Sequence, residues 1–549
     1  MRPDTAAKTA ARPHRAAWIA VALALLVSLT GATCRAPGAR TVPVSAEMNT
    51  FNGIGDDAPP VTPPRFTIHV PPGRLNAVTK GRLLILAAPD AGGLGGGDMR
   101  GRLDDVEASR NGATWGYDMQ VGSDGGTATV DTGAGGVAAF PSDVSTHLAP
   151  GAYRVQAVFA WNPEYRGAGA PGNLYSEPET ITLPVPHGGL PFDLRLTEQQ
   201  DDPKPPADDD THKYLALPSA RLSNFYTRPT ALHAGVVLPP DYTNRPARPY
   251  ILYVRAGGFH TRYTAAAELA PHAGVVQVLL DGDGPFGDPY QVNSAVSGPF
   301  GDATVRELIP EIERRFHCGG SEKARFTAGG STGGWVSLAL QVYYPTTFGG
   351  CWSGYPDPLD FHSYESINLY DDANAYAAAD GSERVSMRDR LTGAARYTVR
   401  EECALENVSG FGGIYTTSGG QWGAWNTVFG ARNKDGRATP FWDPHTGMID
   451  HATVRSAARR YDLRAYCERR WKTLAPKLAG KIHLYVGEHD EYFLNEGVHK
   501  FDTFLKTADP PASARVEYDP LAGHGFEPRS RDAIMDEMLA VRDGATGTP

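Results

Sequence analysis

One serine sits among glycines at Gly329-Gly330-Ser331-Thr332-Gly333, inside the stretch RFTAGGSTGGWVSLALQVYYP (325–345). A hydroxyl is a poor nucleophile at neutral pH. It needs a base for its proton, a group that orients the base, and N–H donors for the oxyanion that develops. A G-x-S-x-G pattern between an apolar run and a helical run describes a strained strand-to-helix turn that presents such a serine. A glycine-rich loop is the plainer alternative, because glycine serves any tight turn. The other parts follow in the order serine, acid, histidine. Asp490 stands directly after the apolar run IHLYVG, with Glu488 and Glu491 as rival carboxylates. His524, in DPLAGHGF, has glycine on both sides and lies 34 residues beyond Asp490, room for one helix and one strand. The oxyanion donors would be the N–H of Thr332 and that of Gly258 or Phe259, which follow YILYV. Asp281, Asp283 and Asp288 in DGDGPFGDPY do not match a calcium loop and are expected to shape the rim of the site. His483, His489 and Asp490 make a weak metal set, since His483 falls inside a strand pattern; no metal is expected.

Positioning three distant side chains requires a scaffold. After residue 213, apolar strand patterns (AGVVLPPDY, PYILYVRAGG, GVVQVLLDGDG, ARFTAG, KIHLYVGEHD, ARVEYDPLAGHG) alternate with helical ones. That alternation predicts an α/β domain over 214–540 with a mostly parallel sheet flanked by helices. In DATVRELIPEIERRF (302–316), Asp302 is expected to cap the helix and Pro310 to kink it. Residues 355–475 interrupt the rhythm and read as an insertion over the carboxyl edge of the sheet. Its Trp422, Trp425 and Trp442 suit either contact with a broad aromatic or sugar-bearing ester or packing inside the insertion. Before the α/β region, RFTIHV, GRLLILAAP, TATVDT and YRVQAVFAW predict an N-terminal β-sandwich over 62–195. The Asp- and Pro-rich LTEQQDDPKPPADDDTHK (196–213) reads as a solvated linker.

The N-terminus is a separate matter. Arg2, Lys8, Arg12 and Arg15 precede WIAVALALLVSLTGA, so residues 1–33 have signal-peptide architecture and imply export to the periplasm or beyond, with no integral span once removed. GATC, ending at Cys34, faintly resembles a lipoprotein processing site, from which Thr33 departs. Residues 34–61 read as a flexible tether. Residues 1–33 carry four basic side chains and one acidic one, so the remainder has a net charge of −13 where the whole 549-residue chain has −10. With no long basic run, nucleic acid is not the expected partner. In an oxidising compartment Cys318, Cys351, Cys403 and Cys467 allow two disulfides, in three pairings.

Longer blocks carry a resemblance. QVNSAVSGPFGDATVRELIPEIERRF, GGSTGGWVSLALQVYYPTTFGGCWSGYPDPLDF, NLYDDANAY, MIDHATVRSAARRYDLR and KIHLYVGEHDEYFLN make the chain similar to exported bacterial esterases of the α/β-hydrolase superfamily, related to enterochelin esterase and esterase D. LAPGAYRVQAVFAWNPEYRGAGAPGNLYS resembles the β-sandwich part of that group. The resemblance spans most of residues 65–530. It implies an α/β-hydrolase fold, a triad of Ser331, Asp490 and His524, no cofactor, and hydrolysis of a small or glycosylated ester. One departure stands out: RAGGFH replaces the group's Pro-Gly-Phe-Gly-Gly type of loop and leaves the first oxyanion donor open. Two other readings remain at this stage: a serine peptidase of prolyl-oligopeptidase type, and a binding protein on a retired hydrolase fold.

Overall fold

The computed structural model describes residues 62–90, 97–142, 148–183, 189–202 and 204–544. The signal sequence, Cys34 and the tether expected before residue 62 lie outside the described residues.

Eight strands form the larger sheet: β1 His212–Pro218, β2 Ala231–Val237, β3 Ile251–Arg255, β4 Val275–Leu280, β5 Arg325–Gly330, β6 Gly350–Gly354, β7 Ile482–Gly487 and β8 Ala514–Asp519. Their spatial order is β1-β2-β4-β3-β5-β6-β7-β8. β1, β2 and β4 pair antiparallel, and every pair from β4–β3 to β7–β8 is parallel. β4 is VVQVLL and is buried along its whole length. A strand can be continuously apolar in this way only where both faces of the sheet are covered. Parallel strands cannot be joined by hairpins and need crossovers. These are supplied by α1 Ile309–Phe316, α2 Thr332–Tyr343, α7 Leu494–Thr507 and other segments, and α8 Arg531–Asp543 closes the chain. This strand order, antiparallel at β2 and with β3 and β4 exchanged, is the α/β-hydrolase fold.

The helix expected at 302–316 begins two residues earlier, at Phe300. Asp302 therefore lies in its first turn rather than at its cap. Thr304–Leu308 then widen into a π turn before α1. Pro310 accounts for this: it has no N–H and its ring collides with the carbonyl four residues back, so the extra residue lets the helix pass without breaking.

Between β6 and β7 lie a hairpin (Val385–Arg388 with Ala395–Thr398) and helices α3 Val399–Ser409, α4 Gln421–Phe429, α5 His451–Tyr461 and α6 Leu463–Leu478. Thr398 and Glu401 make a reciprocal capping box at α3. Asp450 and Asp462 accept helix N–H groups at the starts of α5 and α6.

The N-terminal part has two facing sheets. Arg65–Val70 sits between Gly126–Asp131 and Phe192–Arg195, and Thr79–Pro89 sits between Ala113–Val121 and Gly151–Ala160. Phe66, Ile68, Val130 and Leu194 of one sheet meet Leu83, Ile85, Val155 and Phe159 of the other. Side chains alternate across a strand, so Leu84, Leu86 and Val158 point out of the sandwich. They are buried too, against Leu405 and Val408 of α3. Arg82 adds polar contacts there, donating to the carbonyl of Val408 (2.8 Å) and pairing with Asp118 (2.8 Å). The described residues of the sandwich and of the large-sheet region accordingly pack as one unit.

The segment 196–213 divides: residues 204–210 run exposed and outside any strand, while residues 196–200 belong to the sandwich. Leu196 is fully buried, its N–H bonds to the His69 carbonyl (2.9 Å), and Glu198–Gln199 pair with Leu174–Tyr175. Only this first part is zipped to the sandwich; the acidic and proline-rich part that follows is exposed. Cys318, Cys351, Cys403 and Cys467 are all free thiols and all buried, which corrects the expectation of disulfides. Each fills a place in apolar packing as a small hydrophobic side chain, and burial pushes the Cys351 thiol up to about 12. Among the described residues no helix is long and apolar enough to cross a membrane.

Candidate active site

Ser331 occupies the turn between β5 and α2 with φ 57° and ψ −124°, a conformation that a residue with a side chain rarely adopts. Its neighbours show how the strain is held. Ser331 N–H donates to the Gly354 carbonyl (3.0 Å), and its carbonyl accepts from Trp335 N–H (3.0 Å). A Cβ at Gly329 would sit 2.5 Å from the Gly333 carbonyl oxygen, and one at Gly333 only 2.2 Å from that of Ala256. Two of the glycines are therefore required by close backbone approach at the turn.

Asp490 follows β7 and is completely buried. Its Oδ1 accepts from Tyr492 N–H (2.9 Å) and Leu494 N–H (3.3 Å), and its Oδ2 lies 2.9 Å from His524 Nδ1. The rival acids are engaged elsewhere. Glu488 pairs with His499 (2.8 Å), while Glu491 accepts the His524 backbone N–H (2.6 Å) and so fixes the loop rather than the ring. The His524 ring lies edge-on between Tyr355 (4.8 Å) and Tyr492 (5.0 Å). Burial favours its neutral form, but the hydrogen bond and charge of Asp490, aided by Asp357 and Glu491, outweigh this and raise its pKa above 6.5.

Sequence reasoning missed Asp357. It lies three residues after β6, at the carboxyl edge of the sheet, and is almost wholly buried. It accepts from Ser331 Oγ (3.4 Å), Thr332 Oγ1 (3.0 Å), Tyr290 OH (2.5 Å) and Trp425 Nε1 (3.3 Å). Burial raises its pKa, against the pull of these donors. The hydrogen bond of the Ser331 hydroxyl thus runs to Asp357 and not to His524. The available signal was position alone, an acid just past a strand end in GYPDPLDF.

Ser331, Asp357 and His524 line one cavity of about 420 Å³. Phe259 lines it as well; Gly258 does not, and its carbonyl accepts from Thr261 N–H (3.0 Å) in the loop below. Thr332 is the first residue of α2, where backbone N–H groups have no partner within the helix. The cavity wall comes from three parts of the chain: Lys80, Trp161 and Arg166 from the sandwich, Tyr397 and Phe411 from the insertion, and the loops of the large sheet. Trp425 lines it while itself buried, and Trp422 and Trp442 meet edge to face within the insertion (5.3 Å).

The aspartates expected at the rim lie outside this lining and support the loop that carries Phe259. Asp281 pairs with Arg262 (2.7 Å), and Asp288 accepts from Tyr290 N–H (2.9 Å). His483 lies within β7, stacked on Trp352 (4.4 Å), so it does not join Asp490 in a metal set. A different trio, Asp360, His362 and Asp462, brings its ligand atoms within 4.8 Å of one another. Those carboxylates are already taken by Arg464 (2.6 Å), His362 (2.7 Å) and Tyr370 (2.7 Å).

No protein-family model matches the sequence, and no curated protein does. Among solved structures the chain is similar to FphF, a fluorophosphonate-binding serine hydrolase of Staphylococcus aureus, at 12% identity and TM-score 0.34, over 60% of this chain and 98% of that one. A ferulic acid esterase matches at 12% and 0.34, over 62% and 100%. An S-formylglutathione hydrolase from Agrobacterium tumefaciens matches at 13% and 0.33, over 61% and 95%. At that distance the likeness assigns no role to any residue here.

Proposed function

We propose that this protein is an exported serine hydrolase that cleaves carboxylic esters through an acyl-enzyme. Ser331 Oγ attacks the acyl carbon. His524 takes the proton on Nε2, since Nδ1 is committed to Asp490, and returns it to the leaving alcohol. Asp490 fixes the tautomer and stabilises the imidazolium. Water then attacks the acyl carbon with His524 as base, releasing the acid and restoring Ser331. The N–H groups of Thr332 and Phe259 receive the oxyanion, Phe259 being preferred over Gly258 because it lines the cavity. The reaction requires the Ser331 hydroxyl to turn from Asp357 toward His524, which lines the same cavity, and catalytic hydrogen bonds often tighten only when substrate arrives. No step requires a cofactor.

The observation that carries this reading is the His524–Asp490 hydrogen bond at 2.9 Å, in a cavity whose lining includes a serine held on a strained turn. Export rests on the basic and apolar pattern of residues 1–33. A fluorophosphonate probe is expected to label wild type at Ser331 and to leave Ser331→Ala unlabelled, with hydrolysis of p-nitrophenyl acetate falling by about 10⁴-fold or more in the variant. Labelling that persists in Ser331→Ala would refute the assignment. Faster turnover of a peptide amide panel than of esters would favour a peptidase instead.

A further inference from the structure

Five carboxyls line the Ser331 cavity: Asp104, Asp357, Glu365, Glu402 and Glu406. Three are accounted for. Asp104 is exposed to solvent. Asp357 has the four donors described above. Glu406 accepts from the N–H groups of Trp422 (2.9 Å) and Gly423 (2.9 Å) and from Ser418 Oγ (2.7 Å), and so caps α4. Glu365 and Glu402 are different. Glu365 is only 5% exposed, and its one partner among the described residues is Ser386 Oγ, 3.1 Å from Oε2. Glu402 Oε2 accepts from Trp422 Nε1 (2.8 Å) and lies 2.6 Å from the same Ser386 Oγ. Oε1 of each meets no donor among the described residues, and neither residue makes an ion pair among them. The cations of the cavity wall are placed otherwise. Lys80 is exposed, Arg82 pairs with Asp118, and Arg166 Nε donates to the Pro285 carbonyl (2.6 Å).

One hydroxyl proton cannot serve two carboxylates. Ser386 therefore donates to one carboxylate and meets the other group as an un-ionised carboxyl. The shorter contact and the second donor mark Glu402 as the anion. Burial, with the charge of Glu402, holds the Glu365 carboxyl well above the usual carboxylate range. Glu365 also stands at φ 53° in the turn closed by Tyr364 and Ile367, a left-handed backbone that side chains disfavour. The short strand that carries Ser386 also ties this wall to the triad, because Arg388 Nε donates to the Asp490 carbonyl (3.0 Å). A carboxyl withdrawn from water normally has a donor or a cation against it. Two oxygens on residues that line this cavity lack one. An ammonium group supplies both N–H donors and the missing positive charge, and the rings of Tyr397, Trp425 and Tyr492, which line the same cavity, favour a cation as well.

We propose that Glu365 and Glu402 form a cation subsite of the Ser331 cavity that takes a primary ammonium group, and that the ester this protein cleaves carries one. The second half rests on the serine-hydrolase reading; the first does not. On entry the ammonium donates to the two free oxygens, and the proton held by the pair passes to solvent. Calorimetric titration at neutral pH with benzylammonium and with its neutral counterpart, benzyl alcohol, tests the subsite directly. Wild type and Ser331→Ala should both bind benzylammonium about tenfold or more tighter than benzyl alcohol. Glu365→Gln should abolish that preference while binding the alcohol as wild type does, which shows its cavity intact. Glu402→Gln should weaken the preference. Wild type that binds the two alike, or the alcohol more tightly, overturns the subsite. So does a preference undiminished in both variants, and if Glu365→Gln fails to fold, an undiminished preference in Glu402→Gln does so alone. In turnover, two pairs place the ammonium on either side of the ester: 4-nitrophenyl 4-(aminomethyl)benzoate with 4-nitrophenyl 4-methylbenzoate, and 4-(aminomethyl)phenyl acetate with 4-methylphenyl acetate. In one pair Glu365→Gln should raise KM about tenfold more for the ammonium member than for the methyl member. Parallel rises in both pairs overturn the substrate assignment. A Glu365-dependent preference in a protein that hydrolyses no ester leaves the subsite standing and removes the hydrolase reading.

Discussion

In the proposed reaction His524 is the base, and its surroundings would set a pH profile. A general base must be neutral to accept a proton. Asp490, Asp357 and Glu491 together hold the ring's pKa above 6.5 against burial. kcat/KM is therefore expected to climb with pH through a midpoint above 6.5, in a profile measured with a neutral ester. Asp490→Asn should lower the rate by about 10⁴-fold and move that midpoint down. A profile that keeps its midpoint in the variant would mean that another group titrates. The same shift ties stability to pH. A histidine that holds its proton more tightly when folded stabilises the fold below its unfolded pKa, and that contribution is lost as pH rises through the folded value. At this scale turn chemistry and chain order marked Ser331, Asp490 and His524 in the sequence, and the structure has Ser331 on a strained turn and Asp490 hydrogen-bonded to His524. Asp357 left no such mark. Its role comes from four donors, Ser331, Thr332, Tyr290 and Trp425, that converge from separate segments.

The β5–α2 turn is the element that makes the serine available, and it depends on atoms too close to admit a methyl group. Gly333→Ala would press a carbon against the Ala256 and Gly257 carbonyls, at 2.2 and 2.6 Å. Opening that contact should cost about 1–3 kcal/mol, read as a lower thermal midpoint, and should slow fluorophosphonate labelling by displacing Ser331. Gly258→Ala is the control, since a Cβ there meets nothing within 4 Å. Equal effects of the two substitutions would show that the tight packing is unimportant. Elements with strong patterns were readable in the sequence: β2, β3, β4, β5, β7, β8, α1, α2 and α7; β1 and the glycine-flanked β6 were not. Nor was the start of segment 196–213, because the pairing of residues 196–200 with the sandwich is a long-range contact that the exposed Asp- and Pro-rich stretch after them does not announce. The π turn before Pro310 was equally hidden, since proline announces a disturbance without specifying which one.

For the whole molecule, the outer face of the sandwich and the insertion act as one body. Leu84, Leu86 and Val158 share a core with Leu405 and Val408, and Arg82 caps the end of α3 through the Val408 carbonyl. Arg82→Met leaves that carbonyl without its donor and should cost about 1–3 kcal/mol. Tryptophan fluorescence and far-ultraviolet circular dichroism should still follow a single melting transition in wild type. A separate early transition for the sandwich would contradict this coupling. The run GRLLILAAP was read as a strand of the sandwich, and nothing in it named α3 as the cover of its outer face, because such long-range docking is encoded in shape rather than in pattern. One feature of the interior reaches beyond the site. Cys318, Cys351, Cys403 and Cys467 are sealed thiols rather than cross-links, so maturation of the described fold depends on no oxidant and no disulfide shuffling. A reducing environment would therefore break no cross-link among these four cysteines.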